Sequence, residues 1–288
     1  MRLLLASLLA LLAVIAGTAS AAERLVTPVA NLRDDALADR LARLVAAEPA
    51  IYGIAVKHLV TGQHAAVNGD RVFEAASLYK LAVMVELYAQ HALGEIDFDE
   101  AVPAFVILGY DSSGFPIYGE PTTYSAREAL IDMITVSDNA AAQFLLYRLG
   151  PSRVNQRMAA LGLPNTTVDW DTTTTPNEML ELLDLMATGR LVSRQASAEM
   201  IDVLLGQRIN DRLPVGLPPG VPIAHKTGNL PGLAHDAGIV YAPEGPYIVV
   251  VLTEDLWDVE RGYAVIHDLA RQVHTYFAHR PALVALAP

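Results

Sequence analysis

Apolar positions along this chain follow two periods, and the changes between them divide it into segments. After Arg2, an apolar run from Leu3 to Ala16 is broken only by Ser7 and gives way to Gly17, Ala19, Ser20 and Ala21. The run falls short of the roughly 20 apolar residues that a bilayer core requires. With small residues behind it, it reads as a cleavable secretory signal over residues 1–21. Next, Leu37, Leu41 and Leu44 recur at helical spacing and predict a helix over 34–47. A strand-like run over 51–60, a Thr61-Gly62 turn and a second short strand predict a hairpin. Helical periodicity then dominates, over 78–93, 125–135, 140–149, 152–161, 176–187 and 193–205. Strand-like runs return only over 222–227, 234–242 and 246–253, and an amphipathic helix over 259–278 closes the pattern.

Strands at both ends of a helical middle predict an α/β protein of the α+β type. One antiparallel sheet is assembled from both termini and flanked by helices, with an all-helical lobe inserted. The expected boundaries are a sheet-containing lobe from 22–68 and 214–288, and a helical lobe over 69–213. A cleft is expected where the lobes meet. No fixed-period repeat or long Pro/Gly-rich linker interrupts the pattern.

Composition narrows the chemistry. The chain has 288 residues, no cysteine and a formal charge of −12. A negative surface without a basic patch argues against nucleic acid as a partner. Without thiols there is no disulfide framework, thiolate zinc site, cysteine nucleophile or lipid-modified cysteine anchor. Covalent catalysis must therefore use another side chain.

Ser77 opens the helix predicted over 78–93, and Lys80, three residues on, lies on the same face. A serine hydroxyl needs a base, and a neutral amine can serve once burial and a helix N-terminus lower its pKa. The helix start also directs the Ser77 N–H toward a developing oxyanion. Taken alone, Ser-x-x-Lys reads more readily as a helix cap followed by a solvated lysine. Two further motifs follow in order: Ser137-Asp138-Asn139 between helical segments, and Lys226-Thr227-Gly228 on a strand.

This ordered set resembles that of class A β-lactamases and penicillin-binding proteins. The resemblance extends over nearly the whole chain beyond residue 21, including Thr135-Val136 and the stretch from Thr172 to Pro176. It implies the β-lactamase/transpeptidase-like two-lobed fold. It also implies that Ser77 is the acylated nucleophile, Lys80 its base or proton relay, and Ser137 the proton donor to the leaving nitrogen. Asn139 would hold a substrate amide, and Lys226, Thr227 and Gly228 would receive the substrate carboxylate. The N–H groups of Ser77 and Asn229 would form the oxyanion hole, and Asp138 would be structural.

Two features depart from the class A pattern. The Glu-x-x-Leu-Asn motif that supplies the deacylating base is missing, and the stretch from Leu163 to Thr175 contains no Glu. Asp169 or Asp171 is the candidate substitute, against a turn or capping role beside Trp170. The strand after Lys-Thr-Gly carries His235 and Asp236 where the family usually places a cation.

Other signals have bland readings. The stretch from Gly220 to Thr227 misses a phosphate-binding loop because His225 replaces its second glycine. His267, His274 and His279 lack a metal-binding spacing, and His235 reads as a structural hydrogen-bonding residue. Tyr110, Tyr118 and Tyr124 could line the mouth of the cleft or pack in the core. The expectation is a secreted or periplasmic, monomeric serine hydrolase that needs no cofactor and no metal and acts on a small β-lactam or peptidoglycan-like substrate. A slowly deacylating penicillin-binding D,D-peptidase or transpeptidase is the alternative, and a non-enzymatic wall-binding module is a third.

Overall fold

The computed structural model describes residues 21–279, apart from 105–106, 111, 113–115, 121 and 170. The expected signal segment, except for its last residue, lies outside the described residues. Strand β1 (Leu32–Arg33) leads into helix α1 (Asp35–Val45), whose N-cap Asp34 accepts from the Leu37 amide. The expected hairpin is β2 (Ile51–His58) and β3 (Gln63–Val67). A two-residue strand, β4 (Phe73–Glu74), then enters a 3-10 turn, Ala76–Leu78, and helix α2 (Tyr79–Ala92).

The stretch before Ser-Asp-Asn to which the pattern assigns no element forms a pair of antiparallel ribbons. Strand β5 (Ala101–Ala104) pairs with β8 (Thr122–Ser125), and β6 (Ile107–Tyr110) with β7 (Pro116–Tyr118). The inserted lobe is therefore not wholly helical. Pro103 and Pro116 stand inside these strands and hide the alternation that would have revealed them. A two-stranded ribbon can nevertheless accommodate proline, because each strand keeps an open side.

Helices α3 (Ala126–Thr135), α4 (Asn139–Leu149) and α5 (Pro151–Ala160) follow. Ser125 and Glu128 close a reciprocal capping box on α3, and Asp138 caps α4. After the short strand β9 (Thr173–Thr174) come α6 (Pro176–Ala187) and α7 (Arg194–Leu205), capped by Thr175 and Ser193. Strands β10 (Ile223–Leu230), β11 (Leu233–Ala242) and β12 (Gly245–Glu254) and helix α8 (Val259–Ala278) complete the fold. Among the described residues, no helix is long and apolar enough to cross a membrane.

The main sheet has the order β1-β3-β2-β12-β11-β10, antiparallel except for β1 against β3. It is buried on both faces, so its central strands read as nearly continuous apolar runs. Ile248, Val250 and Leu252 of β12 pack toward the helices of the inserted lobe. Tyr247, Val249 and Val251 alternate onto the other face, against Leu37 and Leu41 of α1 and Ile266, Leu269 and Val273 of α8. Strand β10 occupies one edge. A Cβ on Gly228 would meet Ala76 Cβ at 3.2 Å and Ser77 N at 3.3 Å, so the strand lies directly against the turn that carries Ser77.

One buried ion pair ties the sheet to the inserted lobe. Lys57 Nζ on β2 lies 2.9 Å from Asp184 on α6, both almost fully buried, and Arg190 donates to the other carboxylate oxygen at 2.6 Å. Removing one partner of such a pair leaves an uncompensated buried charge at a cost of roughly 3–5 kcal/mol, whereas an apolar replacement of both is often neutral. Asp184→Ala should therefore lower the unfolding free energy by roughly 3 kcal/mol or more. The double variant Lys57→Met/Asp184→Leu should recover most of the loss. Urea unfolding monitored by circular dichroism checks both, and equal losses in the two variants would contradict the ion-pair explanation.

Candidate active site

The site is built at a corner of the chain that the backbone holds in an uncommon conformation. Pairing of β4 with β9 and the bond from Ala75 N to Thr172 O at 2.8 Å fix the approach to the 3-10 turn. Within it, Ala76 has φ of 44°, a left-handed conformation that a side chain disfavours. Ser77 follows, half-buried and facing the cleft. Every residue of α2 from Lys80 to Gln90 is buried, so the apolar helix carries the Lys80 amine into the interior with it.

That amine donates to Ser137 O at 2.7 Å, Asn139 Oδ1 at 2.7 Å and Ser137 Oγ at 3.2 Å. Burial lowers its pKa to about 8, against the opposing pull of the Asp138 carboxylate. Ser137 sits between α3 and α4 with φ of 59°. Asp138 accepts from Ala141 N at 2.7 Å, which explains its structural role as the cap. From the edge strand, Lys226 Nζ donates to Ser137 Oγ at 2.8 Å and to Thr227 O at 2.9 Å. Burial, then repulsion by Lys80, lower the Lys226 pKa to about 7, with Asp236 opposing and Arg212 reinforcing the shift. The Ser137 hydroxyl thus accepts from two amines, and its own proton is left to point elsewhere.

Ser77, Ser137, Asn139, Thr227 and Asn229 come together on a cleft of about 290 Å³, joined by Ile209, Asp211, Arg212 and Tyr263. Gly228 contributes close backbone approach to the turn. The sequence reading missed Arg212. Its guanidinium is almost fully buried, stacks over the Tyr263 ring at 4.7 Å, and donates from Nη2 to Tyr263 Oη at 2.7 Å and to Asn229 Oδ1. Among the described residues its Nε and Nη1 meet no hydrogen-bond partner, and Nη1 lies 3.6 Å from the Asp211 carboxylate. A desolvated cation with two spare donors beside a cleft suits a carboxylate. The cation expected on β11 therefore enters from the irregular stretch before β10, where the only sequence cue is an arginine followed by Leu213-Pro214-Val215.

His235 does not take that place. Its Nδ1 accepts from Thr253 N at 3.1 Å and its Nε2 donates to Glu74 O at 2.8 Å. Complete burial holds it neutral, with a pKa pushed down to about 4. It ties β4, and hence the turn of Ser77, to the main sheet.

The two candidate deacylation bases are not brought to the cleft. Asp169 is exposed and accepts from Asn155 Nδ2 on α5 at 2.9 Å, while Asp171 is exposed and does not line the cleft. The buried carboxylate of this region, Glu178, accepts from Asn165 and Thr166 and holds the loop to α6. Trp170 and the side chains of Tyr110 and Tyr118 lie outside the described residues. Tyr124 donates to Asp132 and packs against Phe144. His267 bonds Asp211 O, His274 bonds the Tyr247 hydroxyl, and His279 bonds Thr275 O. Among the described residues no group of three or more metal-ligating side chains is assembled.

A sequence profile of the beta-lactamase enzyme family matches residues 36–277. No curated protein matches the chain. Among solved structures, PBP-A is 27% identical with a TM-score of 0.78, the match covering 88% of this chain and all of that one. A variant of PBP-A was solved as an acyl-enzyme complex with penicillin G. The fold is shared with a β-lactamase from Sphaerobacter thermophilus, 24% identical with a TM-score of 0.75 over 86% of this chain and 98% of that one. An ancestral class A β-lactamase is 24% identical, with a TM-score of 0.71 over 83% of this chain and 99% of its own.

The two lowered lysines carry a stability signature. In the folded chain each amine releases its proton at a lower pH than in the unfolded chain, whose lysines titrate near 10.5. Between about pH 7 and 10.5 the unfolded state binds more protons, so their contribution makes folding stability rise with pH over that window. Lys226→Met removes part of that rise. Its stability relative to the parent should be most favourable at pH 6 and decline toward pH 10 in equilibrium unfolding; a pH-independent difference would contradict the shift.

Proposed function

The chain belongs to the beta-lactamase enzyme family, and from that premise we propose that this serine hydrolase opens β-lactam rings through an ester on Ser77. The observation that carries the reading is the convergence of Lys80 and Lys226 on Ser137 Oγ in a cleft shared by Ser77 and Arg212. Lys80, as a neutral amine, takes the Ser77 proton while the hydroxyl attacks the lactam carbonyl. The developing oxyanion is received by the N–H groups of Ser77 and Asn229. Ser137 passes its proton to the departing lactam nitrogen and regains one from Lys80, which took it from Ser77. Asn139 binds the substrate's side-chain amide; Lys226, Thr227 and Arg212 receive its carboxylate. The short apolar segment over 1–21 supports export, so we place the enzyme outside the cytoplasm.

The loop supports slow release of the acyl group. With Asp169 turned to Asn155 and Glu178 occupied by Asn165 and Thr166, neither carboxylate is placed to activate water. A missing general base removes about 10²- to 10⁴-fold from a hydrolytic step. The same observation, with the likeness to PBP-A, favours a second reading: a penicillin-binding D,D-peptidase or transpeptidase whose β-lactam ester is a dead end.

Intact-mass spectrometry after mixing with a penicillin separates the readings. The expected course is a burst of one adduct per chain, mapped to Ser77 and absent in Ser77→Ala, followed by slow hydrolysis. An adduct half-life prolonged severalfold in Asp169→Asn or Asp171→Asn would assign a base to this loop. An adduct that lasts for hours in all three chains, together with release of D-alanine from a D-Ala-D-Ala peptide, favours the peptidase. Labelling at another residue would overturn the nucleophile.

Acylation should also depend on pH through the base. Since burial lowers the Lys80 pKa to about 8, the ammonium dominates at pH 6 and the amine above pH 8. The acylation rate should rise with pH over that range and level off above it, as read by stopped-flow mixing. A rate that falls from pH 6 to 8 would exclude Lys80 as the base.

A further inference from the structure

Behind Lys226 and Thr227, on the α8 side of the sheet, lies a buried polar unit that the proposed chemistry does not use. His225 Nδ1 meets Asp236 Oδ1 at 2.8 Å, and its Nε2 meets Asn210 Oδ1 at 2.9 Å. His225 and Asp236 are both almost wholly excluded from water. In the β10–β11 register, His225 stands opposite Gly238, where a Cβ would approach His225 Cβ to 2.5 Å. The glycine leaves the imidazole room to lean diagonally toward Asp236. Burying such a pair is costly unless every polar atom is met.

The partners of this pair belong to one segment. Asp236 Oδ2 accepts from Leu213 N at 3.0 Å, and Asn210 Nδ2 donates to Gln207 O at 3.2 Å. Gln207 is itself fixed to Ile134 O at 2.9 Å, and Asp211 O accepts from His267 Nε2 on α8 at 2.9 Å. The stretch from Gln207 to Leu213 has little regular structure of its own, yet it carries Ile209, Asp211 and Arg212 of the cleft wall. Arg212 is bracketed by two residues held to the protein interior: Leu213 by Asp236, and Asn210, two positions before it, by His225.

We propose that the His225–Asp236 pair is a positioning unit that sets the guanidinium of Arg212 for the substrate carboxylate. It touches no substrate. It acts by holding the backbone on both sides of Arg212, so that the guanidinium stays in the cleft wall with Nε and Nη1 making no hydrogen bond. The inference rests on the reading that Arg212 binds a carboxylate, and it makes His225, one residue before Lys226, a determinant of specificity for anionic substrates.

The test compares second-order acylation rates for benzylpenicillin and for its methyl ester, which lacks the carboxylate charge. Arg212→Ala should lower the ratio of the two rates at least tenfold. His225→Phe, which keeps the ring volume and loses both bonds, should lower the ratio about fivefold or more while the adduct still forms on Ser77. Asn210→Leu should act in the same direction, and Asn210→Asp, which keeps the oxygen facing the ring, should preserve the ratio; this pair decides the matter if His225→Phe does not fold. An unchanged ratio in Arg212→Ala would overturn the carboxylate reading and this inference with it. A lowered ratio in Arg212→Ala, with the parental ratio in His225→Phe and Asn210→Leu, would overturn the positioning role alone, as would equal losses in Asn210→Leu and Asn210→Asp.

Discussion

The structure depends on one arrangement that is unfavourable in isolation: two lysine amines withdrawn from water and bonded to one serine hydroxyl. Lys80 arrives on a helix of the inserted lobe, Lys226 on the edge strand of the main sheet, and Ser137 on the corner between α3 and α4. Three separate parts of the chain must be correctly placed for these bonds to form. Burial lowers the affinity of each amine for a proton, and for Lys226 the neighbouring Lys80 lowers it further. The cost of concentrating positive charge here favours the neutral amines near neutral pH, the form that the proposed base role of Lys80 requires.

The remainder of the fold supplies rigidity to that arrangement. His235 and the β4–β9 pairing hold the approach to Ser77. Asp138 holds the start of α4, and the Lys57–Asp184 pair joins the sheet to α6. Left-handed backbone at Ala76 and Ser137 places both serines at corners, where their hydroxyls project from the chain and do not lie along a helix face. Such strain persists only where the surroundings leave no alternative, which is the condition that these bonds create.

Much of this was legible in the sequence because it follows from local rules. The 3.6-residue period located α1, α6 and α8, and strand-like apolar runs located β2 and the three late strands. Three short motifs identified Ser77, Lys80, Ser137 and Lys226 because their residue types and order carry chemical meaning. The ribbons over 101–125 were not legible, since prolines interrupt their alternation and a two-stranded ribbon buries too little to impose one. Arg212 escaped for a different reason. Its place in the cleft depends on bonds to Asn229 and Tyr263, 17 and 51 residues away, and no local spacing records such a meeting. For Asp169, a turn or capping role stood against the base reading, and its partner Asn155 stands on a helix that the pattern had placed without indicating its direction.

The pairing of β2 with β12 sets an order of events in the life of the molecule. Ile51 lies opposite Glu254 and His58 opposite Tyr247, so the centre of the sheet joins segments separated by some two hundred residues. Closing so long a loop carries an entropic cost before any contact compensates it, and topologies of this kind fold slowly. During synthesis the N-terminal hairpin waits for strands made last, and Lys226 waits with them. The meeting of Lys80, Ser137 and Lys226 therefore cannot form on a nascent or partly threaded chain, and the cleft takes shape only after the late strands have joined the sheet.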